Sequence, residues 1–306
     1  MDVIRVERKE HPETIEFYEF KYAGLLRFPP LAQARLDHID EELIAQFKAK
    51  MDREGYEEST INRHLATLKR ALRLAASWKI IDRVPKIKLL TGENQREFVL
   101  ARDREGEYLD ACPEFLRNWS TLAIETGMRR KELQSLEWSD VHFEPIGNAR
   151  CGYVHVRGTK SKYSKRNIPL TATAQMVLLR QRQISKCEYV FTLDTDATKA
   201  ASVSAMNHCH ERVRDVLGFP REFVLHSLRH TFGTRLGENR IDVFAIQRLM
   251  GHSSITVSQR YVHPSPEIME NAILAQERAS QEFSENRAAL PTNFPTVEAA
   301  SGERIQ

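Results

Sequence analysis

From Ile61 to Lys79 the chain carries no acidic residue, and its apolar residues fall on a single stripe. Ile61, Leu65, Leu68, Leu72 and Ala75 are separated by steps of four, three, four and three. That period belongs to a helix with one face turned to a core. Arg63, His64, Thr67, Lys69, Arg70 and Arg73 make up its other, basic and hydroxyl-bearing side. A solvated surface is the ordinary meaning of such a face. With no carboxylate in the segment, a DNA-facing helix is the stronger reading: the major groove admits a helix, and lysine and arginine neutralise phosphates. Overall charge does not carry this inference. Forty-five basic residues stand against 42 acidic ones, a net of +3, and nucleic-acid binding needs positive charge that is clustered rather than merely abundant.

The 306 residues, 41% of them hydrophobic, suffice for one large domain or two ordinary ones. No apolar run is long enough to span a bilayer, and Met1-Asp2-Val3-Ile4-Arg5 does not open a signal peptide. A cytoplasmic protein with no membrane partner is expected. The four cysteines are scattered without a CxxC pair, so neither a disulfide framework nor a zinc site is indicated. His208-Cys209-His210 reads as structural, since adjacent helical residues point in different directions.

Residues 12–90 read as helical. Asp40 can cap a helix whose first turn holds Glu41 and Glu42 and whose end suits Gly55, and Ser59 or Thr60 can cap the next. Residues 81–97 show no amphipathic period, and the linker is placed at 91–97, between a helical domain at 1–90 and a larger one at 98–286. In the larger domain the spacing predicts a helix over roughly 116–138. A hairpin follows, with strands around Tyr153–Val156 and Arg166–Leu170 and a polar turn from Gly158 to Ser164. Further helices and a short strand at Tyr189–Phe191 come next. Residues 287–306, with Pro291, Pro295 and Gly302, are expected to form a disordered tail. The fold class is mainly α with a small β-sheet or hairpin (α+β).

Four local signals carry chemistry: Thr126-Gly127-Met128-Arg129-Arg130-Lys131-Glu132-Leu133; Lys160 and Lys162 at the hairpin turn; His226-Ser227-Leu228-Arg229-His230; and Gly251-His252 with Tyr261 nine positions on. Each has a plain structural alternative. Arg129 could simply pair with Glu132 at i+3, a turn lysine is usually solvated, and a late tyrosine is usually a half-buried aromatic. As a set they have a common logic. Arginine offers a permanent charge and a planar fork to the non-bridging oxygens of a phosphodiester, whose charge grows as a fifth oxygen approaches phosphorus. A lysine can protonate a departing 5′-oxygen. A phenol, with an ordinary pKa of about 10, needs activation that arginines and a histidine can give.

In order and spacing these segments resemble the tyrosine recombinase family, the phage-type integrases, over roughly residues 12–265. The resemblance implies that Arg129 and Arg229 hold the scissile phosphate, with Glu132 supporting the first. His226 and His252 then serve as donors or proton carriers, Lys160 as general acid with Lys162 in reserve, and Tyr261 as nucleophile. His230 matches too and reads as mainly structural. The Leu249-Met250-Gly251-His252 box departs from the family pattern only by Met for Leu, and the lysine turn is one residue longer than usual. The family's architecture is a helical core-binding domain and a catalytic domain closing as a clamp on double-stranded DNA. Residues 60–78 would supply the groove-facing helix. The chain begins too near that domain to carry the further arm-binding domain of longer members. Beyond Tyr261, a helix with Ile268, Met269, Ala272, Ile273 and Ala275 would dock into a neighbouring subunit of a tetramer.

The expected activity is site-specific recombination through a 3′-phosphotyrosyl intermediate. Neither metal, ATP nor any other cofactor is called for, because the covalent link keeps the phosphoester energy and arginine neutralises charge. A mobile-element integrase is the leading role, with an Xer-like resolving recombinase or a transposase as the alternative within the family. A type IB topoisomerase, a non-catalytic DNA-binding protein and a metal-dependent nuclease are the readings from outside it. Strict dependence on a paired specific site would count against the first, loss of part of the constellation would favour the second, and activity abolished by chelator would favour the third.

Overall fold

A computed structural model describes residues 1–92, 98–145, 147, 149–158, 164–192, 202–262 and 266–288. The chain divides into two units, Met1–Gln95 and Arg96–Gln306.

The first unit is helical: α1 (Asp2–Glu7), α2 (Pro12–Leu26), α3 (Pro29–Gln33), α4 (Glu41–Arg53) and α5 (Glu58–Ser77). Asp40 caps α4, its carboxylate accepting from the Leu43 N–H at 2.8 Å. Gly55 follows that helix with φ +76°. α5 begins two to three residues earlier than a Ser59 or Thr60 cap would place it, with Glu57 at the N-cap. The stripe Ile61, Leu65, Leu68, Leu72 and Ala75 is buried with Ile44, Phe47 and Met51 of α4, forming this unit's core. The chain after α5 leaves the helix and runs irregularly past Pro85.

The outer face of α5 differs from the expected one. His64 and Thr67 are 3% and 2% exposed. The reason is α2, which packs across α5 and turns part of that side into a second interior. Gly24 of α2 lies so close over the His64 imidazole that a Cβ there would collide with it. His64 Nδ1 is hydrogen-bonded to the Thr60 carbonyl, and the Thr67 hydroxyl donates to the Arg63 carbonyl. Arg63 and Arg73 remain exposed, Lys69 is half-buried, and Arg70 pairs with Glu7 at 2.5 Å while lying over the Tyr18 ring.

The second unit contains α6 (Arg102–Ala111), α7 (Glu114–Thr126), α8 (Arg130–Gln134), β1 (Val141–His142), β2 (Tyr153–Val156), β3 (Arg166–Pro169), α9 (Ala172–Ile184), α10 (Val203–Val216), α11 (Leu225–Glu238), α12 (Val243–Met250), α13 (Ile255–Gln259) and α14 (Pro266–Ala288). The strands form one antiparallel sheet in the order β1-β2-β3, with Val154 opposite Ile168 and Val156 opposite Arg166. α7 is the central helix. Its Leu116, Trp119 and Leu122 are buried, and it packs on α9 and α11.

A single helix over 116–138 does not form. It breaks at Gly127, which takes φ +60° and leaves room for the Phe232 ring where a side chain would otherwise stand. Tyr189–Phe191 is not a strand: Tyr189 makes one bridge to Glu137. His210 is buried. Its Nε2–H donates to the Phe223 carbonyl at 2.9 Å, so Nδ1 accepts from the Tyr108 hydroxyl at 2.8 Å, and burial lowers its pKa. On α14, Met269, Ile273 and Phe283 are exposed. That helix runs to Ala288, two residues into the stretch expected as tail, and residues 289–306 lie outside the described residues.

Candidate active site

The break at Gly127 is what builds the site. It frees Arg129 to stand at the N-cap of α8, where the Glu132 carboxylate accepts both the Arg129 backbone N–H (2.8 Å) and its guanidinium Nη1–H (2.9 Å). The i, i+3 pair that looked like surface decoration is therefore a turn-defining contact around an acid whose side chain is 3% exposed. Burial opposes the Glu132 charge, yet Arg166 and Arg129 hold its pKa below the usual carboxylate range.

Arg166 was not singled out by the sequence. It projects inward from β3, in the same register as Ile168, and its guanidinium grips Glu132 with two hydrogen bonds of 2.8 and 3.1 Å. A charged residue in the buried phase of an alternating strand was the available signal, because such a residue is costly unless paired.

Three consecutive carbonyls at the C-terminal end of α12 then collect three arginines. Leu249 O accepts from Arg166 Nε (2.6 Å), Met250 O from Arg229 Nη2 (2.6 Å), and Gly251 O from Arg129 Nη2 (2.5 Å). These carbonyls lack helical partners and sit at the negative end of the helix dipole, so cations suit them. Gly251 is αL, and a Cβ there would press on the Arg166 guanidinium at 2.7 Å. Arg229, on α11, is 4% exposed and also donates to Gly127 O, the carbonyl ending α7. Burial, and then the neighbouring Arg129, push its pKa down. Among the described residues Glu132 is the one carboxylate bonded to this group, through Arg129 and Arg166, so the three guanidiniums leave a surplus of positive charge. Arg129, its side chain still 36% exposed, is the most accessible of the three at this center.

His252 follows Gly251 directly. Its Nδ1 is hydrogen-bonded to the Ser258 hydroxyl at 2.8 Å, and its ring lies nearly parallel to that of Tyr261, with centroids 6.2 Å apart. Burial and the surrounding arginines lower its pKa to about 3. The same causes, with His230 next to it, bring His226 to about 4. Both are neutral at neutral pH and act as N–H donors or lone-pair acceptors.

Tyr261 is 8% exposed, packed with Ile246 and Met250. Its hydroxyl is 2.8 Å from His230 Nδ1. It lies on α11 over Gly233 and Gly237, where added methyl groups would strike its ring and its carbonyl oxygen. His230, Gly233 and Gly237 occupy i, i+3 and i+7, one helical face. That spacing in the sequence is the signal of a bed for the tyrosine. His226 meets the His230 ring edge-on at 4.8 Å. Arg129, Glu132, His226, Arg229, His230, His252 and Tyr261 are thus brought into one cluster, with Arg166 added and Arg229 joined through the Gly127 and Met250 carbonyls. Lys160 and Lys162 lie outside the described residues.

Comparison with known proteins gives the chain's family. The Phage integrase family profile matches residues 95–267, and the Phage integrase SAM-like domain profile matches residues 3–89. The Integrase of Salmonella phage P22 is 28% identical over 211 residues, 66% of this chain, and the chain spans about half (53%) of that protein. Tyrosine recombinase XerC of Pelotomaculum thermopropionicum is 26% identical over 290 residues, 86% of this chain and 92% of its own length. Among solved structures, the Tn1549 transposon integrase in complex with a circular intermediate DNA superposes with TM-score 0.76 at 19% identity, covering 90% of this chain and 97% of that one. A lambda integrase dimer bound to a COC′ core site does so with TM-score 0.64 at 25% identity, covering 82% and 88%. With more than half its length matched by the family profile, the chain belongs to the phage integrase family.

Proposed function

We propose that the chain, a tyrosine-type site-specific recombinase, cuts and rejoins double-stranded DNA with Tyr261 as its nucleophile. The observation that carries this reading is the gathering of Arg129, Arg166 and Arg229 on the last carbonyls of α12, next to His252 and the Tyr261 hydroxyl. Such fixed, net-positive donors are preorganised for a phosphate whose charge rises in the transition state. Tyr261 attacks phosphorus and Arg129 and Arg229 hold the non-bridging oxygens. The 5′-oxygen leaves with a proton from Lys160, and the 5′-hydroxyl of a partner strand reverses the step. Arg63, Lys69, Arg70 and Arg73 of the SAM-like unit contact backbone phosphates. Four protomers act together on two duplexes, in the compartment that holds DNA. Among the described residues no helix is long and apolar enough to cross a membrane.

The test is a suicide duplex nicked near the cleavage point, built on a sequence selected from a randomised pool by binding to this chain. In chelator, the wild type should form a DNA-linked band and Tyr261→Phe none. An adduct that persists in Tyr261→Phe rejects the assignment. Similarity to both integrases and XerC keeps the Xer-like role in view. Efficient exchange between two identical sites on one plasmid favours resolution, and exchange only between unlike sites favours integration.

A further inference from the structure

We propose that His230 is a catalytic residue, the base that takes the phenolic proton of Tyr261 as its oxygen attacks phosphorus. This rests on the reading of Tyr261 as nucleophile and adds a role that the motif alone did not give, since His230 first read as structural. A phenol with an ordinary pKa of about 10 is ionised in only about one molecule in a thousand at neutral pH, so proton removal must accompany attack. A base has to lie within hydrogen-bond reach of that proton, and His230 Nδ1 lies 2.8 Å from the Tyr261 oxygen.

The contact is built into the helix. On the face of α11 that begins with His230, Gly233 and Gly237 remove the side chains that would lift the tyrosine away. The ring is thereby seated with its hydroxyl at the imidazole. The other two histidines are less suited. His252 commits Nδ1 to Ser258 and has its pKa held near 3, and His226 has its pKa held near 4. Both are weak proton acceptors beside arginines.

In the step, the Tyr261 oxygen forms its bond to phosphorus while the bond from phosphorus to the 5′-oxygen breaks. The phenolic proton passes to Nδ1 of an imidazole already protonated at Nε2, giving an imidazolium. The leaving 5′-oxygen takes its own proton from the general acid. In rejoining, the imidazolium returns the proton to the departing phenolate.

The experiment crosses two changes in the full chain: His230→Ala or His230→Gln, and Tyr261 as tyrosine or as 2,3,5-trifluorotyrosine, whose phenol ionises near neutral pH. Single-turnover cleavage of the suicide duplex is measured in chelator, with duplex binding and thermal midpoint as folding controls. With tyrosine, loss of His230 should slow cleavage by about 10²- to 10⁴-fold. With trifluorotyrosine the same substitution should cost less than about tenfold, because little proton transfer remains to be catalysed. Equal losses with both nucleophiles would show a merely structural role and overturn the proposal, as would full activity of His230→Ala with natural tyrosine. His230→Gln supplies the comparison if the alanine variant unfolds. Failure of the underlying reading looks different: an adduct forms in Tyr261→Phe, or none forms in the wild type.

Discussion

The chain holds two concentrations of arginine, and they are opposite kinds of object. On α5, Arg63 and Arg73 are exposed, and Arg70 is tied to Glu7 at the surface. In the second unit, Arg166 and Arg229 are buried and Arg129 half-covered, each anchored to a carbonyl at the end of α12. Exposed guanidiniums are screened and free to adjust, which suits many phosphates along a duplex. Buried ones held by fixed dipoles have lost that freedom before any ligand arrives, which suits one phosphate in one geometry. Under the proposed function the same residue type would serve affinity in one place and chemistry in the other, and burial separates the two.

Glu132→Gln attacks the contrast most severely. It leaves the buried Arg166 without its carboxylate, and breaking such a pair destabilises by about 3–5 kcal/mol. Chemical denaturation should register that loss in the second unit. A change below about 1 kcal/mol would mean that the pair is no more than a surface bridge. Arg229→Lys comes next. It keeps the charge but cannot reach Gly127 O and Met250 O together, so single-turnover cleavage should fall by about 10²- to 10³-fold. Near-normal cleavage by the lysine variant would show that geometry does not matter there.

Acid sharpens the picture. His252, with an ordinary pKa of 6.5, is held at about 3, so the folded state stays unprotonated while the unfolded state binds a proton. Its contribution to stability is full above about pH 6.5 and is lost as pH falls towards 3, at about 1.4 kcal/mol per pH unit. His226, held at about 4, adds the same sign over a narrower window. Unfolding midpoints of wild type and His252→Asn, measured from pH 7 to 4, should converge as the pH drops, and parallel curves would remove His252 from the balance. The smallest effect belongs to α5. Arg63→Ala with Arg73→Ala should weaken duplex binding at every sequence and lower the salt slope by about 0.9 per lost phosphate contact, leaving stability within about 0.5 kcal/mol. An unchanged slope would take α5 off the DNA.

Legibility in the sequence followed the same division. The apolar stripe of α5 and the Asp40 cap are local signals, and the structure repeats them. His64 and Thr67 were misplaced because a period of 3.6 reports one buried face and is silent about a second helix crossing the other. Arg129, Arg229, His252 and Tyr261 could be picked out because their chemistry is coherent as a set. Arg166 was passed over because its partner lies 34 positions away, and the bed of Tyr261 because small residues carry no chemical signal until something rests on them.

In the proposed reaction, residues from position 129 to 261 surround a single phosphorus. A crystal structure of the protein on half-site DNA with orthovanadate, grown without metal, tests this most directly. Vanadium bonded to the Tyr261 oxygen, with Arg129 and Arg229 on its equatorial oxygens, is the predicted result. Vanadium bound away from Tyr261, or with either arginine turned elsewhere, would contradict it.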